Sequence, residues 1–261
     1  MRSGSMENLL LYSESPDDGE RIRTVAQTVY ADYAGNASQW RPPNSDQMWG
    51  ISLGGRAGVL GVRLGKRTVC VKLYYDERLR TRLRTRLGCS KGRRAYRNGV
   101  RLRATGIACP RMLGYAEQRP SGPAMIVTEL IEDGMRLDHW IAKYGVGKNL
   151  PAGLARFVRN MHDRGVTHVD LSPRNIMVRM RDDGYEFLLL DYEDARFLHN
   201  VDRRTRCRDL NHLHERLAVH TSLRDRLRFL RVYAPQDYTL YREQLHRMLD
   251  KSTSRYLQPH I

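Results

Sequence analysis

Three residues in one short stretch could do chemistry together. In HVDLSPRNIMVRMRDDGYEFLLLDYED, Asp170 stands five residues before Asn175, and Asp191 follows at the far end of an apolar hairpin. Transfer of a phosphoryl group from ATP needs a carboxylate to orient an attacking hydroxyl and accept its proton. It also needs hard oxygen ligands for Mg²⁺. Asp170 suits the first task; Asn175 and Asp191 suit the second. Singly, each is as well explained as a turn residue or an ordinary loop acid. The ordered set points to phosphoryl transfer.

The flanking sequence supplies elements able to hold that set. Asn175 to Val178 and Tyr185 to Leu190 read as two short strands, and Arg181-Asp182-Asp183-Gly184 is a turn between them, its Asp-Gly pair suited to positive φ. Such a hairpin brings Asn175 and Asp191 to one end, where they can share a metal. Upstream, Leu154, Phe157, Val158 and Met161 recur at helical spacing and stop before Gly165.

Earlier in the chain the pattern changes twice. Glu20 to Tyr33 has helical spacing within a leader that ends near Asp46, and Pro42-Pro43-Asn44 marks a boundary. From Met48 onward, Trp49–Leu53, Val59–Leu64 and Arg67–Tyr74 are short strand candidates separated by glycine-rich turns. The first of these turns, Gly54-Gly55-Arg56-Ala57-Gly58, lets backbone N–H groups approach phosphate oxygens closely, although a plain hairpin would also use glycine there. Ala124 to Ile131 reads as a buried strand running into a connector.

Bulk properties bound the rest. The 261 residues, 28% of them charged, suffice for one two-lobed domain. No apolar run approaches the roughly 20 residues needed to cross a bilayer, and no secretory signal is expected from the polar, acidic start. Four scattered cysteines without a CxxC pair suit a reducing compartment. Forty-five Lys+Arg against 29 Asp+Glu leave a formal charge of +16. The excess peaks from Arg78 to Arg103, where ten arginines and one lysine occur with no acid and Leu79, Leu83 and Leu87 could form a helical stripe. That composition suits an anionic membrane surface or an acidic acceptor, with nucleic acid the weaker competitor and a solvated basic face the plain alternative.

With Lys72 on the third strand, then Asp170, Asn175 and Asp191, the chain resembles the protein-kinase-like superfamily. Within it the closest resemblance is to the bacterial lipopolysaccharide core kinases that phosphorylate heptose or Kdo. Tyr96-Arg97-Asn98, Gly106-Ile107-Ala108-Cys109-Pro110, Met161-His162, Gly165-Val166-Thr167-His168, Arg208-Asp209-Leu210 and Arg228 to Tyr233 carry the narrower likeness, which spans Met48 to Tyr233. The resemblance implies an α+β, bilobal protein-kinase-like fold: a small antiparallel β N-lobe over residues 47–131 and a mainly helical C-lobe over 132–261, behind the 1–46 leader. It implies ATP held by Gly54, Gly55, Gly58 and Lys72, with Glu129 and Ile131 at the adenine-binding connector. Asn175 and Asp191 would bind Mg²⁺, Asp170 would be the base, and His168 would tie the catalytic loop to the Asp191 segment.

The expected acceptor is an anionic glycolipid, lipid A–core, met by a cytoplasmic protein. Arg78–Arg103 would supply peripheral contact with the cytoplasmic face of the inner membrane. Val169 and Ser172 replace protein-kinase residues, and no Ala-Pro-Glu element follows Asp191, which argues against a protein substrate. Two further departures bear on activity. Ala95 stands where the family pattern has the glutamate that pairs with the lysine, and Asp191-Tyr192-Glu193 replaces Asp-Phe-Gly. The alternatives are therefore a nucleotide-binding pseudokinase scaffold and another small-molecule phosphotransferase.

Overall fold

The computed structural model describes residues 9–13, 15–33, 44–54, 57–74, 90–118, 123–239 and 241. Gly55 and residues 78–89 of the Arg78–Arg103 segment, including the leucine stripe, lie outside them. The chain divides into two compact units, one of residues 1–104 and 109–132, the other of 105–108 and 133–261.

The first unit is a sheet with a helix on each face. Its strands are β1 (Leu9–Ser13), β2 (Met48–Leu53), β3 (Ala57–Leu64), β4 (Arg67–Tyr74), β5 (Met112–Gln118) and β6 (Ala124–Glu129), in the order β1-β5-β6-β4-β3-β2. Every neighbouring pair is antiparallel. Strand alternation sorts the side chains: on β4, Val69, Val71 and Leu73 enter the core, and Cys70 and Lys72 take the other face. Helix α1 (Pro16–Asp32) lays Ile22, Val25, Ala26 and Val29, all fully buried, on the core face. The stretch before Asp46, which the sequence sets apart as a leader, thus adds a strand and a helix to this unit.

Helix α2 (Lys91–Ala104) covers the opposite face through Ala95, Tyr96, Gly99 and Leu102. Gly99 has a steric reason, since a Cβ there would lie 2.7 Å from Met112 side-chain atoms. Tyr12 of β1 stacks on Tyr115 of β5 (5.6 Å between ring centroids) and meets Tyr96 of α2 edge-on (5.3 Å), so the first strand also braces that helix.

The second unit is mainly helical. It contains α3 (Leu137–Tyr144), α4 (Leu150–Asp163), α5 (Arg203–Leu217) and α6 (Leu223–Tyr233). Two small sheets accompany them, one of β7 (Met135–Arg136), β9 (Ile176–Arg181) and β10 (Gly184–Leu189), the other of β8 (Val166–His168) and β11 (Ala195–Phe197). Helix α4 packs against α6, burying Leu154, Val158 and Met161 on one side and Phe229, Leu230 and Tyr233 on the other. Asp202 caps α5 by accepting from Thr205 N at 2.8 Å, and Ser222 with Asp225 forms a reciprocal capping box on α6. The expected helices over 20–33 and 154–164 extend about a turn farther at their starts. The expected hairpin strands occur as 176–181 and 184–189.

Candidate active site

Asp170 is exposed on the loop after β8, and its neighbours fix that loop from three directions. The Asn175 Nδ2 donates to the Asp170 carbonyl at 2.9 Å, and Asn175 N donates to Ser172 O at 3.0 Å. That bond commits the Asn175 amide nitrogen, and Oδ1 remains chemically able to ligate a cation. The β9–β10 register pairs Ile176 with Leu189, and Leu190 N donates to Asn175 O at 2.8 Å. Asn175 and Asp191 therefore leave the hairpin at the same end, as the spacing predicts.

Asp191 adopts φ 62 and ψ 54, the only non-glycine residue at positive φ among those described. A left-handed conformation disfavoured for a side-chain-bearing residue persists only where its surroundings impose it. Here His168, fully buried, donates from Nε2 to the Asp191 carbonyl at 3.0 Å. That bond puts a proton on Nε2, and Nδ1 is buried without a hydrogen-bond partner. Val169 N donating to Asp194 O (3.0 Å) and the pairing of Ala195 with His168 complete the link between loop and Asp191 segment.

Beneath the loop lies a group that the sequence marks only as part of the Arg208-Asp209-Leu210 likeness, without a role. Asp209 of α5 is 1% exposed. Its Oδ2 accepts from His168 N (3.2 Å), from Thr167 Oγ1 and from His162 Nε2 (3.3 Å). Its Oδ1 accepts from Arg208 Nε (3.2 Å) and Nη2 (2.9 Å). Burial raises the pKa of this carboxyl, but the hydrogen bonds from His162, Thr167 and Arg208 hold it below the usual carboxylate range, so it is an anion that binds the loop. Burial lowers His162, with Asp209 opposing, and the ring also meets Tyr233 OH at 2.7 Å from Nδ1. The available signal in the sequence was an acid within the apolar pattern of a helix, as at Asp209-Leu210 and Leu213.

The first unit holds the remaining predicted residues. Lys72 is half-buried on β4 between Val59 and Ile126, its Nζ 5.2 Å from the centre of the Tyr74 ring. Gly54 N donates to Ala57 O at 3.0 Å, closing the β2–β3 turn, and Gly58 pairs with Leu53 and Leu73. Glu129 ends β6 with its side chain turned inward on the chain, Oε1 accepting from Arg111 N at 2.7 Å, and Ile131 follows half-buried in the connector. Ala95 is fully buried in the α2 interface. A carboxylate the spacing missed is Glu117 of β5, also fully buried, which accepts from Ser90 Oγ at the start of α2. Ser90 Oγ in turn accepts from Arg93 N at 3.1 Å, so Glu117 ties the helix to the sheet.

The donors on the loop are hard oxygens, one carboxylate and one amide. Among the described residues no group of three or more His, Cys, Asp or Glu is gathered to hold a metal. That donor set fits Mg²⁺, which takes one or two protein oxygens and draws its other ligands from phosphates and water.

Comparison with known proteins points to a kinase family. Residues 53–233 match the model of the lipopolysaccharide kinase (Kdo/WaaP) family. A 3-deoxy-D-manno-octulosonic acid kinase from Pasteurella multocida (strain Pm70) is 28% identical over 116 residues, 43% of this chain and 48% of that protein. The chain thus spans about half the length of that curated relative. Among solved structures, WaaP in complex with acyl carrier protein superposes with a TM-score of 0.61 at 21% identity, covering 95% of this chain and 99% of that one. The likeness bears out the expected protein-kinase-like fold class.

Proposed function

Because the chain belongs to the lipopolysaccharide kinase (Kdo/WaaP) family, we propose that it transfers the γ-phosphoryl group of ATP to a heptose or Kdo hydroxyl of the lipopolysaccharide inner core. The observation that carries this reading is the Asn175 hydrogen bond to the Asp170 backbone, joined to the His168 bond that holds Asp191. These contacts tie the backbones of Asp170 and Asp191 into one frame with Asn175, which supports reading the three as base and metal ligands, since positioning supplies most of the catalysis in phosphoryl transfer. Asp170 orients the sugar hydroxyl and accepts its proton as the bond to phosphorus forms. Asn175 and Asp191 are the Mg²⁺ ligands, and bound Mg²⁺ neutralises charge on the phosphates. Lys72 binds phosphate oxygens, Gly55 and Gly58 supply backbone N–H groups to them from the turn that Gly54 closes, and Glu129 and Ile131 flank the adenine.

The acceptor is the anionic lipid A–core, approached at the cytoplasmic face of the inner membrane, with Arg78–Arg103 meeting the anionic surface. No helix among the described residues is long and apolar enough to cross a membrane. A nucleotide-binding scaffold is the second reading, favoured by Ala95; the intact base and ligand set favours the enzyme. The test is incubation with labelled ATP, Mg²⁺ and dephosphorylated lipid A–core, beside Asp170→Asn. Transfer by the wild-type protein and its loss in the variant are expected. ATP binding without transfer by the wild-type protein would establish the scaffold instead.

A further inference from the structure

Along α5 runs an open groove of about 690 Å³, lined by Arg203, Arg204, Arg208, Asn211, His212 and Glu215. Three guanidinium groups face one carboxylate there. The side chains recur at 203, 204, 208, 211 and 212, one face of the helix over nearly three turns. Arg203, Arg204 and Arg208 are exposed. Among the described residues Arg203 hydrogen-bonds the Cys207 side chain and Arg204 lies near enough to Asp202 to favour its ionised form, but neither closes a salt bridge with a carboxylate. The site is not the helix end, because Asp202 already accepts from the Thr205 N–H.

Arg208 differs from the other two. Its Nε and Nη2 are spent on Asp209 Oδ1, and Nη2 also reaches Thr167 Oγ1 at 3.2 Å, three residues before Asp170. Its Nη1 has no hydrogen-bond partner among the described residues, and the side chain is 49% exposed. One edge of a single guanidinium is therefore locked to the base-bearing loop while the rest lines the groove. A ligand bound in the groove would be registered against the catalytic loop through this residue.

We propose that the α5 groove binds a carboxylate or phosphate carried by the sugar acceptor, placing its hydroxyl in register with Asp170. The proposal rests on the kinase reading and assigns the acceptor's anionic groups to a definite surface, distinct from Arg78–Arg103. Planar, forked guanidinium donors match both anions in two-point contacts, and several on one face discriminate against neutral or cationic acceptors. A groove open to solvent also suits a bulky glycolipid, of which only the head needs to enter.

The experiment measures binding of lipid A–core in detergent micelles by calorimetry, without nucleotide, and the acceptor KM and kcat in the transfer assay. The proteins are wild type, Arg203→Gln/Arg204→Gln, and Arg216→Gln, a control on the same helix outside the groove. An exposed charge-assisted contact is worth about fivefold, so the double variant should lose roughly 25-fold in affinity and in acceptor KM. Arg216→Gln should match the wild type, and on dephosphorylated, carboxyl-reduced acceptor the double variant should bind as the wild type does. An affinity within twofold of the wild type on the anionic acceptor would overturn the site. So would an equal loss on the neutralised acceptor, or a loss seen only with phosphatidylglycerol vesicles lacking glycolipid, which would make the groove a membrane contact. If the double variant does not fold, the wild-type protein decides: its acceptor affinity must fall with added salt and with neutralisation of the acceptor, and indifference to both refutes the proposal. Arginine-dependent binding without transfer by the wild-type protein would remove the kinase reading and leave the anion site standing.

Discussion

Replacing Asp209 tests whether the catalytic loop is held from beneath by one buried anion. The carboxylate is 1% exposed and accepts from Thr167, His168, His162 and Arg208, so its loss strands several buried donors together. Summing five hydrogen bonds would overshoot, because neighbours in one network are not additive. The better measure is removal of one partner from a buried charged cluster, about 3–5 kcal/mol. Asp209→Ala should lose that much. Asp209→Asn keeps the shape but removes the charge and turns an amide group toward donors, so about 2–3 kcal/mol is expected. Against a typical stability of about 5–15 kcal/mol, the asparagine variant remains folded at 25 °C. Its phosphoryl transfer should nevertheless fall about 100-fold, as expected when a catalytic group is displaced by about 1 Å. Urea denaturation gives the stability and the labelled-ATP assay gives the rate. A variant within about 0.5 kcal/mol of the wild type with unchanged kcat would refute the anchoring role, and a rate loss matching only the unfolded fraction would refute the positional argument.

Three further outcomes follow from single residues. Burial, and then the charge of Arg226, pull His214 down to about 3. The unfolded chain binds its proton near pH 6.5, so this contribution is complete above that pH and is lost as pH falls toward 3, by at most about 1.4 kcal/mol per pH unit. His214→Leu, which removes a buried Nε2 without a partner, should therefore flatten the acid limb of urea midpoints measured between pH 7 and 5; an unchanged slope would contradict the assignment. Gly165→Ala should lose at least about 2 kcal/mol by thermal denaturation, because φ there is 77 and a Cβ would collide with the Leu198 carbonyl. Tyr12→Ala should cost about 1 kcal/mol through its ring contacts with Tyr96 and Tyr115, and no loss would mean β1 does not brace α2.

Local pattern carried much of this protein. Short runs between glycine-rich turns marked β2, β3 and β4, helical spacing marked α1 and α4, and the Asp-Gly turn fixed the hairpin that delivers Asn175 and Asp191 to one end, because these depend on residues a few positions apart. The Asp170, Asn175 and Asp191 order was legible for the same reason, since one loop and one hairpin contain all three. Other features have no local signature. The first strand reads as part of a detached leader, yet Leu9–Ser13 pairs with β5 some hundred positions later, and only the closed sheet supplies that partner.

Asp209 looks like an ordinary helical acid until the fold brings Thr167 and His168 onto its oxygens from about forty positions away. Glu117 likewise acquires its role from Ser90, and although Arg203, Arg204 and Arg208 stand close together in the sequence, only the folded helix sets them on one groove. Sequence therefore determined which residues could perform the chemistry, because their types and short spacings encode it. Tertiary structure decided which buried charges hold them in place and which exposed ones are left facing solvent, because burial and long-range hydrogen bonding exist only once the chain has packed.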